Sequence, residues 1–293
     1  MLPLILVTGR NGQLGWELEQ IAHAYAQQFR FHFTTRVELD LTQPEQVQSA
    51  LDKIHPDYIL NCAAYTAVDK AEQEQEAALK TNAHSVGEMA VWCERKGKQL
   101  ISISTDYVFD GKGTAPYTVQ HPTDPLNYYG YSKWLGEQLI KENHPKGIVV
   151  RTSWVYSTHG NNFVRTMMRL MKERNELNVV ADQIGSPTYA ADLAQALMQM
   201  VIGLQSGKPH QSVYHYSNAG VISWFDFATA IRDKAGLTCQ VNPIPSSAYP
   251  TPAKRPGYSV MDFSDLVRDF NIVLKPWQES LETCIRQLQQ THA

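Results

Sequence analysis

Four cysteines in 293 residues, Cys62, Cys93, Cys239 and Cys284, are too scattered for a disulfide framework, and without a Cys-x-x-Cys pair they offer no zinc ligation. Reduced thiols are the simple reading. Charge of one sign is also lacking: 26 Lys and Arg stand against 29 Asp and Glu, spread along the chain, without the clustered basic footprint of a nucleic-acid binder. No apolar run is long enough to span a bilayer, and Met1 leads almost directly into Leu4-Ile5-Leu6-Val7 with neither a basic leader nor a small-residue cleavage site. The expectation is a cytoplasmic protein with no membrane and no nucleic-acid partner. No group of His, Cys, Asp or Glu has ligand spacing, so no metal is expected. Internal repeats and low-complexity segments are absent too.

What is present is a globular composition, 43% apolar and 19% charged with a net charge of -3, at a length that fits a principal α/β domain with a smaller companion. Apolar or β-branched runs at 2–8, 31–35, 58–62, 100–103 and 148–150 read as strands, separated by helix-like stretches at 13–28, 44–54, 69–95 and 131–143. Such alternation predicts right-handed crossovers and a doubly wound parallel sheet of Rossmann-like type. Residues 1–155 are expected to form this domain. Beyond about Tyr156, Pro and Gly punctuate the chain, and 156–293 reads mostly as a substrate-binding lobe. Segments near 178–203 and 212–218 are expected to return to the main domain, because 178–181 and 213–216 look like further buried strands.

Gly9-Arg10-Asn11-Gly12-Gln13-Leu14-Gly15 lies between the first strand and the first helix. Glycine is needed where backbone must turn tightly and approach a pyrophosphate at the positive end of a helix. Such a turn can be purely structural; the strand-turn-helix context is what points to a dinucleotide. A fold that selects NAD usually places an acid at the end of the second strand. Here the strand ends in Thr34-Thr35-Arg36, and Arg36 could fork onto a 2′-phosphate, which predicts NADP (NADPH). Glu38 and Asp40 are near enough to keep NAD (NADH) open. Small residues after the third strand, in Asn61-Cys62-Ala63-Ala64-Tyr65, suit close contact with an adenine or ribose.

Tyr129 and Lys133 stand four apart leading into a helix, so the ammonium can lie near the phenol. A free phenol, with a pKa of about 10, is a poor proton shuttle, and an adjacent cation favours phenolate. Tyr128, at spacing five, is a decoy. Ser102 to Phe109 begins as a strand and ends in a loop upstream of the tyrosine, where a hydroxyl could bond both a substrate carbonyl and Tyr129.

In their order along the chain, Gly9-x-x-Gly12-x-x-Gly15, Asn61-Cys62-Ala63-Ala64, Ser104-Thr105-Asp106 and Tyr129-x-x-x-Lys133 resemble the extended short-chain dehydrogenase/reductase superfamily. More narrowly, the blocks at 67–72, 104–111, 151–156 and 249–256 resemble the dTDP-4-dehydrorhamnose reductase family. That resemblance implies reduction of a 4-keto nucleotide sugar by a reduced dinucleotide, the last step in making activated rhamnose. It implies Tyr129 as proton donor, Lys133 as holder of the nicotinamide ribose and tuner of the phenol, and Thr105 as the group orienting the carbonyl. Val68, Asp106 and Trp154 would contact the nucleotide sugar alongside Thr105. The expected cofactor residues are Gly9, Asn11, Gly12, Gln13, Leu14, Gly15, Arg36, Asp40, Leu41, Ala63, Ala64 and Tyr65, with Tyr129 and Lys133. Sugar-nucleotide 4,6-dehydratases carry Thr-Asp-Glu where this chain has Tyr107 in third place, which argues against dehydration. Glu17 matches one magnesium position of related dimers, but the next falls at Ala191, so the expectation is a monomer or weak homodimer without metal. The competing expectations are a reductase or epimerase of another nucleotide sugar, and a non-catalytic NADP-binding subunit like the β subunit of methionine adenosyltransferase.

Overall fold

A computed structural model describes residues 1–291. Its centre is a parallel sheet of β1 (Leu4–Thr8), β2 (Arg30–Thr34), β3 (Tyr58–Asn61), β4 (Gln99–Thr105), β5 (Ile148–Thr152) and β6 (Val213–Tyr216), in the order β2-β1-β3-β4-β5-β6. The order reverses beside β1, so β1 and β3 diverge in their connections and leave a crevice at their carboxyl ends. The helices that matter for the site are α1 (Gln13–Ile21), α2 (Pro44–Ile54), α3 (Ser85–Lys96), α4 (Tyr128–Asn143), α5 (Phe163–Glu173), α6 (Ala190–Gln205), α7 (Trp224–Ala235) and α8 (Trp277–Thr291).

The apolar runs explain why both faces of the sheet are covered. Successive side chains of a strand point to opposite faces. Ile5, Val7, Leu60, Ile101, Ile148 and Val150 pack with α1 and α6 on one face. Leu6, Ile59, Leu100 and Val149 pack with Val47 and Leu51 of α2 and Met89 and Trp92 of α3 on the other. A separate core joins α5, α7 and α8.

The strand expected at 178–181 forms as Glu176–Val180, but it pairs with Gln240–Ile244 in a sheet of its own rather than joining the main one. Its burial alternates, with Glu176 and Asn178 exposed and Leu177 and Val179 buried, whereas a strand in the interior of a parallel sheet is covered on both faces. The segment Val213–Tyr216 does lie in the main sheet, as its edge beside β5, and α6 packs against α1.

Two helices differ in extent from the periodicity. The stretch expected as one helix over 69–95 consists of a turn at Val68–Ala71, a helix at Gln75–Leu79, a wider π turn at Lys80–His84, and then α3. The π turn is held by Asn82, whose side chain accepts from the Tyr65 amide at 2.9 Å and donates to the Tyr65 carbonyl at 3.0 Å and to Ser132 Oγ at 2.9 Å. The helix expected from Tyr131 starts at Tyr128, because Asn127 caps it by accepting from the Gly130 amide at 2.8 Å. That puts Tyr129 inside the first turn. Among the described residues, no helix is long and apolar enough to cross a membrane.

Beneath the site, Arg151 of β5 and Glu137 of α4 form a buried pair closed by bonds of 3.0 Å from Nε to Oε1 and 2.6 Å from Nη2 to Oε2. Removing one partner of such a pair strands a charge at a cost of about 3 to 5 kcal/mol, while replacing both with apolar side chains is close to neutral. Arg151→Ala should therefore lower the urea midpoint sharply, and the double change Arg151→Met with Glu137→Leu should recover part of the loss, since Glu137 also serves Ser104 and the buried Lys133. A double variant as unstable as the single one would contradict this account.

Candidate active site

The carboxyl ends of the strands open into a cavity of about 960 Å³. The first wall is the turn after β1. Gly9 has a φ of 73°, and a Cβ there would lie 2.8 Å from the Ala63 backbone, so neither the conformation nor the space admits another residue. The Gly12 amide donates to the Gly9 carbonyl at 2.9 Å, and α1 begins at the next residue, its unpaired amides facing the cavity end of β1. Gly15 lies under the turn, where a Cβ would come within 2.2 Å of the Gly9 carbonyl oxygen.

The segment 155–161 lies across this turn. Gln13 Nε2 donates to the Val155 carbonyl at 3.4 Å, Ser157 Oγ donates to the buried Glu17 carboxylate at 2.6 Å, and a His159 ring nitrogen bonds the Asn11 carbonyl at 3.1 Å. The His159 ring stacks on Trp16 at 5.1 Å, and Gly160 and Asn161 line the cavity. The glycine turn and this later segment thus share one wall of the cavity.

Lys133, Tyr129 and Thr105 line the same cavity. Lys133 is buried and donates from Nζ to the Ile103 carbonyl at 2.6 Å. Burial brings its ammonium down to about 8, with Glu137 and then Cys62 pulling it back up. Tyr129 stands in the contrary direction: burial of its hydroxyl raises it to about 12, against the bond to Thr105. Thr105 Oγ1 donates to Asp106 Oδ1 at 3.0 Å and accepts from the Tyr107 amide at 3.2 Å. Asp106 is buried and pushed up to about 6 by that burial, and its Oδ2 finds no hydrogen-bond partner. The Tyr107 ring meets Tyr129 edge to face at 5.7 Å.

Trp154 adopts a left-handed φ of 48° and stacks on Trp224 with ring centroids 3.6 Å apart. Gly185 lies behind the Trp154 ring, where a Cβ would come within 2.7 Å of it. Strain of about 1 to 3 kcal/mol persists only where neighbours over-determine the conformation, as the stack and the glycine do here.

Every expected site residue except Gly15 lines this cavity: Asn11, Leu14, Arg36, Asp40, Leu41, Ala64, Tyr65 and Val68 no less than the residues described above. Arg36 is three-quarters exposed, with its Nε 3.4 Å from Asp40 Oδ1, so it is already paired. Residues that line the cavity but were not expected include Thr152, Ser153, Gly160, Asn161 and Trp224. Asn162, whose side chain accepts from the Arg165 amide at the start of α5, was a legible capping signal for the segment holding Gly160 and Asn161. Nothing local marked Trp224. Among the described residues, no group of three or more His, Cys, Asp or Glu could hold a metal ion.

The chain matches the family model described as RmlD substrate binding domain over residues 3–290. It is 42% identical to a dTDP-4-dehydrorhamnose reductase of Burkholderia thailandensis, covering 97% of this chain and 98% of that protein. Two solved dTDP-4-dehydrorhamnose reductases superpose closely. The one from Clostridium acetobutylicum has a TM-score of 0.92 at 37% identity and covers 98% of this chain and 99% of its own. The one from Bacillus anthracis, in complex with NADP, has a TM-score of 0.91 at 40% identity and covers 98% and 100%. With a family model matched along nearly its whole length, and with relatives this similar over the same span, the chain belongs to the RmlD substrate binding domain family, alongside dTDP-4-dehydrorhamnose reductases.

Proposed function

We propose that this protein reduces the C4 keto group of dTDP-4-dehydro-L-rhamnose to give dTDP-L-rhamnose, with NADPH as the reductant. The observation that carries the reaction class is that Thr105, Tyr129 and Lys133 line the same cavity as the glycine turn. The identity of the sugar rests on the relatives, since a fold hosts many chemistries.

The residues fit a dinucleotide: a turn with no room for a side chain at Gly9, a helix N-terminus facing the cavity, and small residues at Ala63 and Ala64. When bound, the reduced nicotinamide supplies the hydride. The chain does the rest. Thr105, at the end of β4, orients the carbonyl. Tyr129, protonated at neutral pH because burial holds it at about 12, donates its proton to the C4 oxygen as charge develops there. Lys133 supplies the cation that stabilises the phenolate left behind and holds the nicotinamide ribose. Asp106 Oδ2, buried without a partner, accepts from a sugar hydroxyl. Trp154, braced by Trp224, forms the apolar wall against the sugar.

The direct test follows NADPH absorbance with a panel of 4-keto nucleotide sugars, and turnover of a different sugar in preference would displace this reading. Tyr129→Phe should lower kcat by about 10² to 10⁴ with cofactor binding unchanged, because a proton donated only in the transition state contributes nothing to the ground state. Tyr128→Phe should stay within a few-fold of the parent, since Tyr128 packs on Tyr131 and, unlike Tyr129, is not among the residues lining the cavity. A dead Tyr128→Phe beside an active Tyr129→Phe would assign the wrong tyrosine.

The pH dependence of kcat/KM should be bell-shaped. Raising the pH through about 8 removes the Lys133 proton and with it the cation, and lowering it through about 6 protonates Asp106, which removes its charge and turns one of its acceptor oxygens into a donor. A profile that stays level from well below 6 to well above 8 would contradict the assigned roles.

A further inference from the structure

At the end of β2 the groups able to recognise a substituent on the adenosine 2′ position are the Thr35 amide, the Thr35 hydroxyl and the Arg36 guanidinium, and both residues line the cavity. Each is already engaged by a carboxylate of the chain itself. Glu38 Oε2 accepts from Thr35 N–H at 2.8 Å and from Thr35 O–H at 3.0 Å. Arg36 pairs with Asp40 at 3.4 Å. Arg10, the other cation near Glu38, is held by Glu19 at 2.7 Å.

The Glu38 contact resembles what a phosphate oxygen would make there: one anionic oxygen received jointly by a backbone N–H and a hydroxyl, with a guanidinium close by in sequence. Glu38 itself is exposed, and nothing in the core requires its charge. Those two amide and hydroxyl bonds hold its carboxyl below the ordinary range. The anion therefore stays in place at neutral pH.

Resting on the dinucleotide reading above, we infer that Glu38 is the residue that sets the choice between NADPH and NADH, by occupying in the free protein the donors that a 2′-phosphate would use. NADPH must displace the carboxylate from Thr35 and seat a second negative charge beside it. NADH meets no such competition, because a 2′-hydroxyl can donate to the same carboxylate. Arg36 then favours the phosphate only to the extent that it outweighs Glu38, so the strand-end cation and the acid three residues from Thr35 act against each other.

The test needs no turnover. Calorimetric titration of the parent protein and of Glu38→Gln with ADP-ribose and with 2′-phospho-ADP-ribose measures the 2′ preference directly. Glutamine keeps an acceptor for Thr35 and removes only the charge, and at an exposed position it should not disturb folding. The ratio of affinities should move toward the phosphorylated ligand by about fivefold, the upper range for an exposed charge, and the gain should shrink as salt is raised. Arg36→Ala should move the ratio the other way. A ratio unchanged within about twofold in Glu38→Gln, with both ligands still bound, would overturn the inference and leave Glu38 as a cap for the turn alone. Failure of the parent to bind either ligand would overturn the inference together with the dinucleotide reading beneath it.

Discussion

The close approach of two backbones at the β1–β3 switch is the constraint on which the rest of the site depends. Gly9 comes so near Ala63 that no side chain fits between them, and that contact fixes where α1 starts and where its free amides point. The same crowding leaves little room beside Ala63, and Ala64 follows it along the cavity wall. Thr8 ties the arrangement together, donating to Asn61 at 2.7 Å and accepting from the Ala63 amide at 3.1 Å. A larger residue at any of these points would close the cavity before any chemistry could be placed in it.

At Lys133 the governing feature is a buried ammonium without a carboxylate of its own. Glu137, one turn beyond Lys133 on α4, is claimed by Arg151 and by Ser104, whose hydroxyl donates to it at 2.5 Å. Two buried cations thus share one buried anion. Burying an unneutralised charge is expensive, and the cost shows in the ammonium of Lys133 being brought down to about 8. Lys133 and Tyr129 line the same cavity, and under the proposed reaction a cation there would be neutralised by a phenolate as it forms. Because Ser104 adjoins Thr105, the same carboxylate also ties the end of β4, which carries Thr105, to α4, which carries Tyr129 and Lys133.

Much of this was legible in the sequence, and for identifiable reasons. The parallel sheet announced itself through apolar strands covered on both faces, and the glycine turn through its place between strand and helix. The four-residue spacing of Tyr129 and Lys133 holds because Asn127 starts the helix early, a capping signal that the apolar periodicity concealed. The strand at 176–180 was visible as a strand but not in its pairing, since an alternating pattern shows that one face is wet without showing which neighbour covers the other. The roles of Trp224 and Asn82, and the contact of His159 with Asn11, were out of reach for a different reason. Their roles arise from contacts made across large sequence separations: Asn82 is 50 residues from its partner Ser132, and His159 is 148 from Asn11.

The central claim is that one cavity brings a reduced dinucleotide and a 4-keto sugar together with Tyr129 as the proton source. It is tested most directly by turnover with NADPH deuterated at nicotinamide C4 on the transferred face, in ordinary water, with the product read by NMR. The account predicts deuterium bonded to C4 of the sugar, with no label elsewhere on the ring, and loss of that transfer in Tyr129→Phe. Product without deuterium at C4, or undiminished label transfer when Tyr129 is phenylalanine, would contradict it.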